Sequence, residues 1–132
     1  GAYVLSEASG GSAQVLLIAT GSEVALAVEA QKRLALEGLR ARVVSMPCWA
    51  SFSAQDATYK DSVLPPTLHA RVSIEAGATF GWERWIGDSG VALGIDKYGA
   101  SAPGERVLAE YGFTPERVVE AAKRSIALAS KR

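Results

Sequence analysis

The chain of 132 residues has few of the side chains that most often carry out chemistry. It contains one histidine, one cysteine (Cys48) and no asparagine. A single cysteine cannot form an intrachain disulfide, and with one histidine it cannot supply the four protein ligands of a structural zinc site. This cysteine content indicates a reducing compartment, and we expect a cytoplasmic protein.

An excess of one charge and long apolar runs are also missing. Lys and Arg number 14, Asp and Glu number 14, and the formal net charge is zero. Nucleic-acid binding usually requires a basic excess or a basic stripe, so we expect no nucleic-acid partner. No apolar run approaches the roughly 20 residues of a membrane-spanning helix, and the stretch GAYVLSEASG lacks the features of a signal peptide. We therefore expect no membrane partner.

Hydrophobic residues make up 48% of the chain, which is enough for the core of one compact domain. Short β-rich apolar runs alternate with segments of helical period. The predicted strands are 14–20, 42–46, 71–75 and 90–95, with a short edge strand at 3–5, and the predicted helices are one after Ser22 and those near 53–60, 79–85, 103–110 and 115–130. This alternation predicts an α/β fold, in which helices cover both faces of a mostly parallel sheet.

Two of the predicted helices carry boundary signals. Ser22 is a natural N-cap for the first long helix, and Gly38 is placed to end it. Thr114 and Pro115 predict the start of the last helix, because a hydroxyl N-cap is followed by a proline at the first helical position.

Four features could carry chemistry, and a structural role is the simpler interpretation of each. The Gly21–Ser22 turn could hold an anion at a helix start, although Glu23 would repel it. The stretch 87–90, Gly-Asp-Ser-Gly, resembles a serine-nucleophile motif but is read as a polar turn, and His69 as a surface or strand-edge residue. Cys48 follows a predicted strand, and we expect it to be packed in the interior.

A more informative region begins at the end of the third strand. Glu75 lies where ligands and partners usually meet an α/β sheet. Trp82, Arg84 and Trp85 follow closely, and tryptophan with arginine is typical of interface hot spots. Because Trp82 and Trp85 are three residues apart on one helical face, core packing is an equal alternative for the two indoles.

In order and spacing, the chain's motifs resemble the C-terminal domain of transketolase over essentially its whole length. The stretches that carry the resemblance are GAYVL at 1–5, LIATGSEV at 17–24, VVSMP at 43–47, Tyr59 with SVLP at 62–65, VSIEAG at 72–77, GWERWIG at 81–87 and the segment from Gly94 to Pro103. The last two are the most specific.

The resemblance implies a function that composition does not. Transketolases are homodimers of chains with three α/β domains, and they use thiamine diphosphate with Mg²⁺ or Ca²⁺. They transfer a two-carbon ketol unit from a ketose phosphate to an aldose phosphate in the pentose phosphate pathway. The third domain has a five-stranded mixed sheet, with four strands parallel and one antiparallel, and it packs against the rest of the enzyme without supplying established catalytic residues.

The sequence agrees with a third domain. In this enzyme class the metal that holds the diphosphate is bound by a Gly-Asp-Gly motif ending in asparagine, and this chain has neither. We therefore expect residues 1–132 to be one C-terminal domain without the catalytic domains, inactive alone, with no catalytic, cofactor-binding or metal-binding residues. The partners we expect are the other domains of the chain and the dimer mate. The candidate contact residues are Glu75, Trp82, Trp85, Tyr98, Ser101 and Pro103.

Two alternatives stay open at this point. The Gly21–Ser22 turn, Glu75 and Cys48 are also compatible with an allosteric module that binds a nucleotide or a sugar phosphate. The equivalent domain of 1-deoxyxylulose-5-phosphate synthase, or of a 2-oxoacid dehydrogenase component, is the second alternative. The segment from Gly94 to Pro103 favours transketolase over either.

Overall fold

The computed structural model describes residues 1–77, 81–94 and 113–131. The strands are β1 (Tyr3–Ser6), β2 (Val15–Ala19), β3 (Ala41–Ser45), β4 (Arg71–Ile74) and β5 (Val91–Leu93). The helices are α1 (Glu23–Leu36), α2 (Trp49–Ser53), α3 (Ala57–Val63), α4 (Glu83–Ile86) and α5 (Pro115–Ala129). None of these helices is long and apolar enough to cross a membrane.

The strands form one five-stranded mixed sheet in the order β1-β3-β2-β4-β5. β2 pairs in parallel with β3 and with β4, and β4 pairs in parallel with β5. β1 lies at the edge and runs antiparallel to β3. The predicted fold class is confirmed, including the single antiparallel strand that the resemblance implied.

Helices cover both faces of the sheet, so the domain has three layers. On one face α1 and α5 pack over side chains such as Leu17 and Val43, in a core cluster that also contains Leu34 and Val118. On the other face α2, α3 and α4 enclose a second cluster, which holds Trp82 together with Leu16 and Ile18 of β2. All five residues of β2 are buried, as expected for a central parallel strand with a continuous apolar sequence.

The predicted helix boundaries are correct for the last helix and partly correct for the first. The Thr114 side chain accepts a hydrogen bond from the backbone N–H of Arg117 at 3.2 Å, as an N-cap does. Gly38 follows α1 with φ of +79°, a conformation that favours glycine. Ser22 makes no side-chain cap; its hydroxyl instead donates to Glu23 Oε1 at 3.2 Å.

The middle of the chain differs from the prediction. The helix expected near 53–60 is two short helices, α2 and α3, separated by a break before Asp56. Asp56 starts α3, because its Oδ1 accepts from the backbone N–H of Tyr59 at 2.8 Å. The helix expected near 79–85 is a single turn, α4, within the residues described there. The helix expected near 103–110 lies outside the described residues.

Candidate functional site

The carboxyl edge of the sheet brings together the residues that sequence reasoning selected there. Ala19, the last residue of β2, pairs with Ser45 of β3 and Ile74 of β4. The segments after β2, β3 and β4, which begin at Thr20, Met46 and Glu75, therefore leave the sheet side by side. β3 lies on one side of β2 in the sheet and β4 lies on the other, so the order of the strands reverses between β2 and β4. Open α/β sheets usually bind ligands at such a topological switch point, outside the carboxyl ends of the strands.

Glu75 lies at this switch point, but its carboxylate has a partner inside the domain. Its backbone N–H donates to the carbonyl oxygen of Leu93, 3.1 Å away, which continues the β4–β5 pairing. Its Oε1 accepts a hydrogen bond from Trp82 Nε1 at 2.5 Å. A carboxylate on an indole N–H is a charge-assisted hydrogen bond, so Glu75 fixes the orientation of Trp82.

Aromatic rings pack against each other beside this pair. The rings of Trp49 and Trp82 meet edge to face, with centroids 5.0 Å apart. Gly81 has φ of +88°, and a Cβ atom there would lie 2.8 Å from Cζ3 of Trp49. Only glycine allows this close approach. The sequence suggested no role for Trp49 or Gly81; the one available signal was a glycine directly before a tryptophan.

Both tryptophans of the GWERWIG stretch are buried in the domain's own core. Trp82 is fully buried and Trp85 is 8% exposed. The Trp85 ring packs edge to face on Phe52, at 5.3 Å between centroids, and the Arg84 guanidinium lies 4.7 Å above it. Of the two interpretations of these indoles, the structure favours core packing over a contact with a partner. The reason is that α2, α3 and α4 together enclose a second core large enough for two indoles.

The other expected contact residues have different outcomes. Glu75 is partly buried, and its carboxylate accepts the hydrogen bond of the Trp82 indole. Tyr98, Ser101 and Pro103 lie outside the described residues.

Cys48 is exposed, so the expectation of a packed cysteine is wrong. Pro47 and Cys48 extend beyond the end of β3, and Cys48 is the N-cap of α2. Its Sγ accepts from the Ser51 hydroxyl at 3.2 Å and from the Ser51 backbone N–H at 3.5 Å. The hydroxyl hydrogen bond, followed by that of the N–H, lowers the pKa of the Cys48 thiol because both donors stabilise the thiolate.

The Gly21–Ser22 turn has the structure of a strand-to-helix connection. Gly21 has φ of +61°, which glycine adopts readily. The Glu23 carboxylate lies over the turn, with Oε2 3.8 Å from the Cβ position of Gly21. An incoming anion would meet this negative charge, so the geometry favours the structural interpretation.

At the opposite edge of the sheet, the Arg71 side chain bonds to backbone carbonyl oxygens of neighbouring segments. Arg71, the first residue of β4, donates from its guanidinium to the backbone oxygens of Leu68 at 2.9 Å, Trp85 at 2.6 Å and Pro65 at 2.8 Å. Burial lowers the pKa of this guanidinium. Because its donors are used by carbonyl oxygens, the side chain ties two segments to β4, the stretch directly before this strand and α4. Nothing in the sequence marked Arg71 for this role.

The 87–90 turn and His69 lie near Arg71. A shallow depression of about 270 Å³ is lined by Arg71, His69, Arg84 and Asp88 among others. His69 is exposed. The turn has a structural use, since the buried Ser125 hydroxyl of α5 donates to the backbone oxygen of Ser89 at 2.7 Å. Among residues 1–77, 81–94 and 113–131, no group of three His, Cys, Asp or Glu side chains could hold a metal ion.

The fold and this carboxyl edge define a three-layer α/β domain in which Glu75, at the switch point, is bonded to Trp82 of the same domain. The family model described as "Transketolase-like TK C-terminal domain" matches residues 1–114. The chain belongs to the family of transketolase C-terminal domains.

Known transketolases are similar to this chain along most of its length. The transketolase of Geobacillus stearothermophilus is 55% identical over 123 residues, which are 93% of this chain and 18% of the relative. The chloroplastic transketolase of Solanum tuberosum is 52% identical over 124 residues, 93% of this chain and 17% of the relative. The solved structure of the transketolase from Leishmania mexicana superposes with a TM-score of 0.84 at 41% identity, covering 99% of this chain and 18% of that one. The chain thus spans about a fifth of the length of its relatives.

Proposed function

We propose that this chain is the docking domain of a complete transketolase. The complete enzyme transfers a two-carbon ketol unit from a ketose phosphate to an aldose phosphate in the pentose phosphate pathway. The domain supports the assembled homodimer from outside the reaction centre, and it is inactive alone. The observation that carries the proposal is the match of the chain to the C-terminal domain of enzymes about five times its length.

The cofactor belongs to other domains of the enzyme. Thiamine diphosphate supplies the carbanion chemistry, and its diphosphate requires a bound Mg²⁺ or Ca²⁺ ion. The chain lacks the motif by which this enzyme class holds that ion, since it has neither a Gly-Asp-Gly sequence nor an asparagine. At the switch point Glu75 is already bonded to Trp82.

The cell compartment and the remaining contact residues are part of the proposal. We place the enzyme in the cytoplasm, on the basis of the single cysteine. Some relatives are named chloroplastic. Tyr98, Ser101 and Pro103 remain candidates for a contact with another domain or with the dimer mate.

Domain replacement tests the docking role. The matching segment of the G. stearothermophilus transketolase is deleted in one protein and replaced by this chain in a second. We expect the deletion to lose dimer and activity and the replacement to regain both, measured by native mass spectrometry and a ketol-transfer assay. A deleted enzyme that keeps its dimer and its turnover would contradict the docking role.

Two measurements on the 132-residue chain test its inactivity. In a ketol-transfer assay, we expect no turnover above a control without protein. In a calorimetric titration with thiamine diphosphate and Mg²⁺, we expect no heat of binding. Saturable binding would show that the cofactor site is in this domain and would make Glu75 a candidate cofactor-binding residue.

A further inference from the structure

β1 forms one edge of the sheet and has a free side. Within the part of the chain that the structure describes, β3 is the only strand that pairs with it. A free strand edge can pair with another chain, and proteins usually protect it with lysine, with proline, with a bulge, with a short strand or with a covering segment. The β1 sequence, YVLS, has neither a charge nor a proline, so its four-residue length and a bulge between Val4 and Ser6 are the protections within the strand. This composition is typical of an edge that a partner covers.

Exposed large hydrophobic side chains gather at the same edge. Of the four among the described residues, Tyr3 and Leu5 lie in β1 and are 48% and 42% exposed. Tyr59 is 38% exposed, and its hydroxyl donates to the backbone oxygen of Ala2 at 2.6 Å, so it lies beside the start of β1. The fourth, Leu36, is at the end of α1. We refer to Tyr3, Leu5 and Tyr59 as the β1 edge surface.

The β1 edge surface extends over both layers of helices. Ala2 and Val4 pack into the core cluster of Trp82, so the side chain of Tyr3 points to the opposite face of the sheet. Tyr59 belongs to α3, in the layer that covers the Trp82 cluster. A partner that lies along the edge, rather than on one face, is the one that contacts all three side chains.

We propose that the β1 edge surface binds the domain that precedes this one in a complete transketolase. The proposal rests on the docking role proposed above and adds the surface that performs it. The family model matches from Gly1 and describes a C-terminal domain, and the matched part is 18% of the G. stearothermophilus relative. Most of a relative's chain therefore enters this domain directly before β1. A domain attached there is held beside the edge at high effective concentration, so a modest apolar contact is sufficient to dock it.

Hydrogen exchange of the β1 segment tests the proposal. It is measured in the 132-residue chain and in the G. stearothermophilus transketolase that carries this chain as its last domain. We expect exchange at β1 to be at least tenfold slower in the full-length protein. The variant Tyr3→Glu/Leu5→Lys and the variant Tyr59→Lys should each remove most of this protection. Leu36→Glu is the matched control, because it places a charge on the most exposed apolar side chain away from β1.

The outcomes separate this surface from the docking role itself. Thermal melts of each variant as the isolated chain first establish that it folds. If exchange slows in the full-length protein elsewhere in the domain but not at β1, the β1 edge surface is not the docking surface, and the docking role itself is unaffected. Identical exchange throughout the domain in both proteins would overturn the docking role. Protection at β1 in the isolated chain, with dimers that the Tyr3 and Leu5 changes dissociate, would make a second copy the occupant and overturn the proposal.

Discussion

Trp82 donates a hydrogen bond from its indole nitrogen to the Glu75 carboxylate across 2.5 Å, at the switch point of the sheet. The indole is fully buried, and the carboxylate lies at the end of β4. A residue that sequence reasoning considered for a ligand or partner contact thus orients a core tryptophan.

Removal of the Glu75 carboxylate should destabilise the domain. In Glu75→Ala the buried Trp82 N–H loses its acceptor, and we expect the free energy of unfolding to fall by about 1–3 kcal/mol. Glu75→Gln keeps an acceptor oxygen and should lose less. Asp61→Ala, which removes an exposed carboxylate from α3, is the control and should change stability by no more than about 0.5 kcal/mol. Urea denaturation followed by tryptophan fluorescence measures all three, and equal losses in Glu75→Ala and Asp61→Ala would contradict a structural role for the hydrogen bond.

Ser125 of α5 and Ser130, the C-cap of this helix, should differ sharply in their contribution to stability. Ser125 is fully buried, and its hydroxyl accepts from the Arg71 N–H at 2.8 Å and donates to the Ser89 oxygen at 2.7 Å. Ser125→Ala removes both hydrogen bonds from a buried site, so we expect a loss of about 1–3 kcal/mol. Ser130 is exposed and bonds only to its own helix, and Ser130→Ala is the matched control. A thermal melt in which both variants match the unmodified chain would refute this.

Two glycines with positive φ distinguish backbone strain from steric contact. At Gly38 a Cβ atom would meet open space, so Gly38→Ala should lose only the roughly 1–2 kcal/mol of the left-handed conformation. At Gly81 the same atom would lie 2.8 Å from the Trp49 ring, and displacing a packed ring adds about 1–3 kcal/mol. We expect Gly81→Ala to be the less stable variant in urea and to alter the near-ultraviolet circular dichroism of the tryptophans. Equal stabilities would mean that the Trp49 ring moves aside freely.

The Cys48 thiol should react at lower pH than an ordinary cysteine. Hydrogen bonds from Ser51 favour the thiolate and lower the pKa of Cys48, so the rate of alkylation by iodoacetamide should rise with pH around a lowered midpoint. Ser51→Ala removes the hydroxyl donor and should move the midpoint upward. Ser9→Ala, in an exposed loop, should leave it unchanged. An unshifted midpoint in Ser51→Ala would mean that the Ser51 hydroxyl does not lower the pKa of Cys48.

A thermal-shift screen addresses the remaining functional alternative, an allosteric module. Nucleotides and sugar phosphates are tested against the 132-residue chain. We expect no increase in Tm, because Glu23 lies over the Gly21–Ser22 turn and Glu75 is bonded to Trp82. A saturable increase with one compound would favour the module.

The alternation of strands and helices, and with it the fold class, can be predicted from the order of residues along the chain. The continuous apolar run of β2 is explained only by a strand covered on both faces, and Thr114–Pro115 starts a helix through contacts within one turn. These signals are local, so they can be read without knowing the partners. The motifs from Gly1 to Pro103 identified the family in the same way.

The tertiary structure alone decided which side of each motif faces inward. Trp82 and Trp85 have the composition of an interface, but α2, α3 and α4 come together to bury them. Cys48 has the composition of a core residue, but the chain beyond β3 carries it into solvent. Arg71 binds carbonyl groups of the stretch before β4 and of α4, and α4 comes beside it only after folding. Burial depends on which elements meet, and such contacts between distant segments leave no periodic trace in a single sequence.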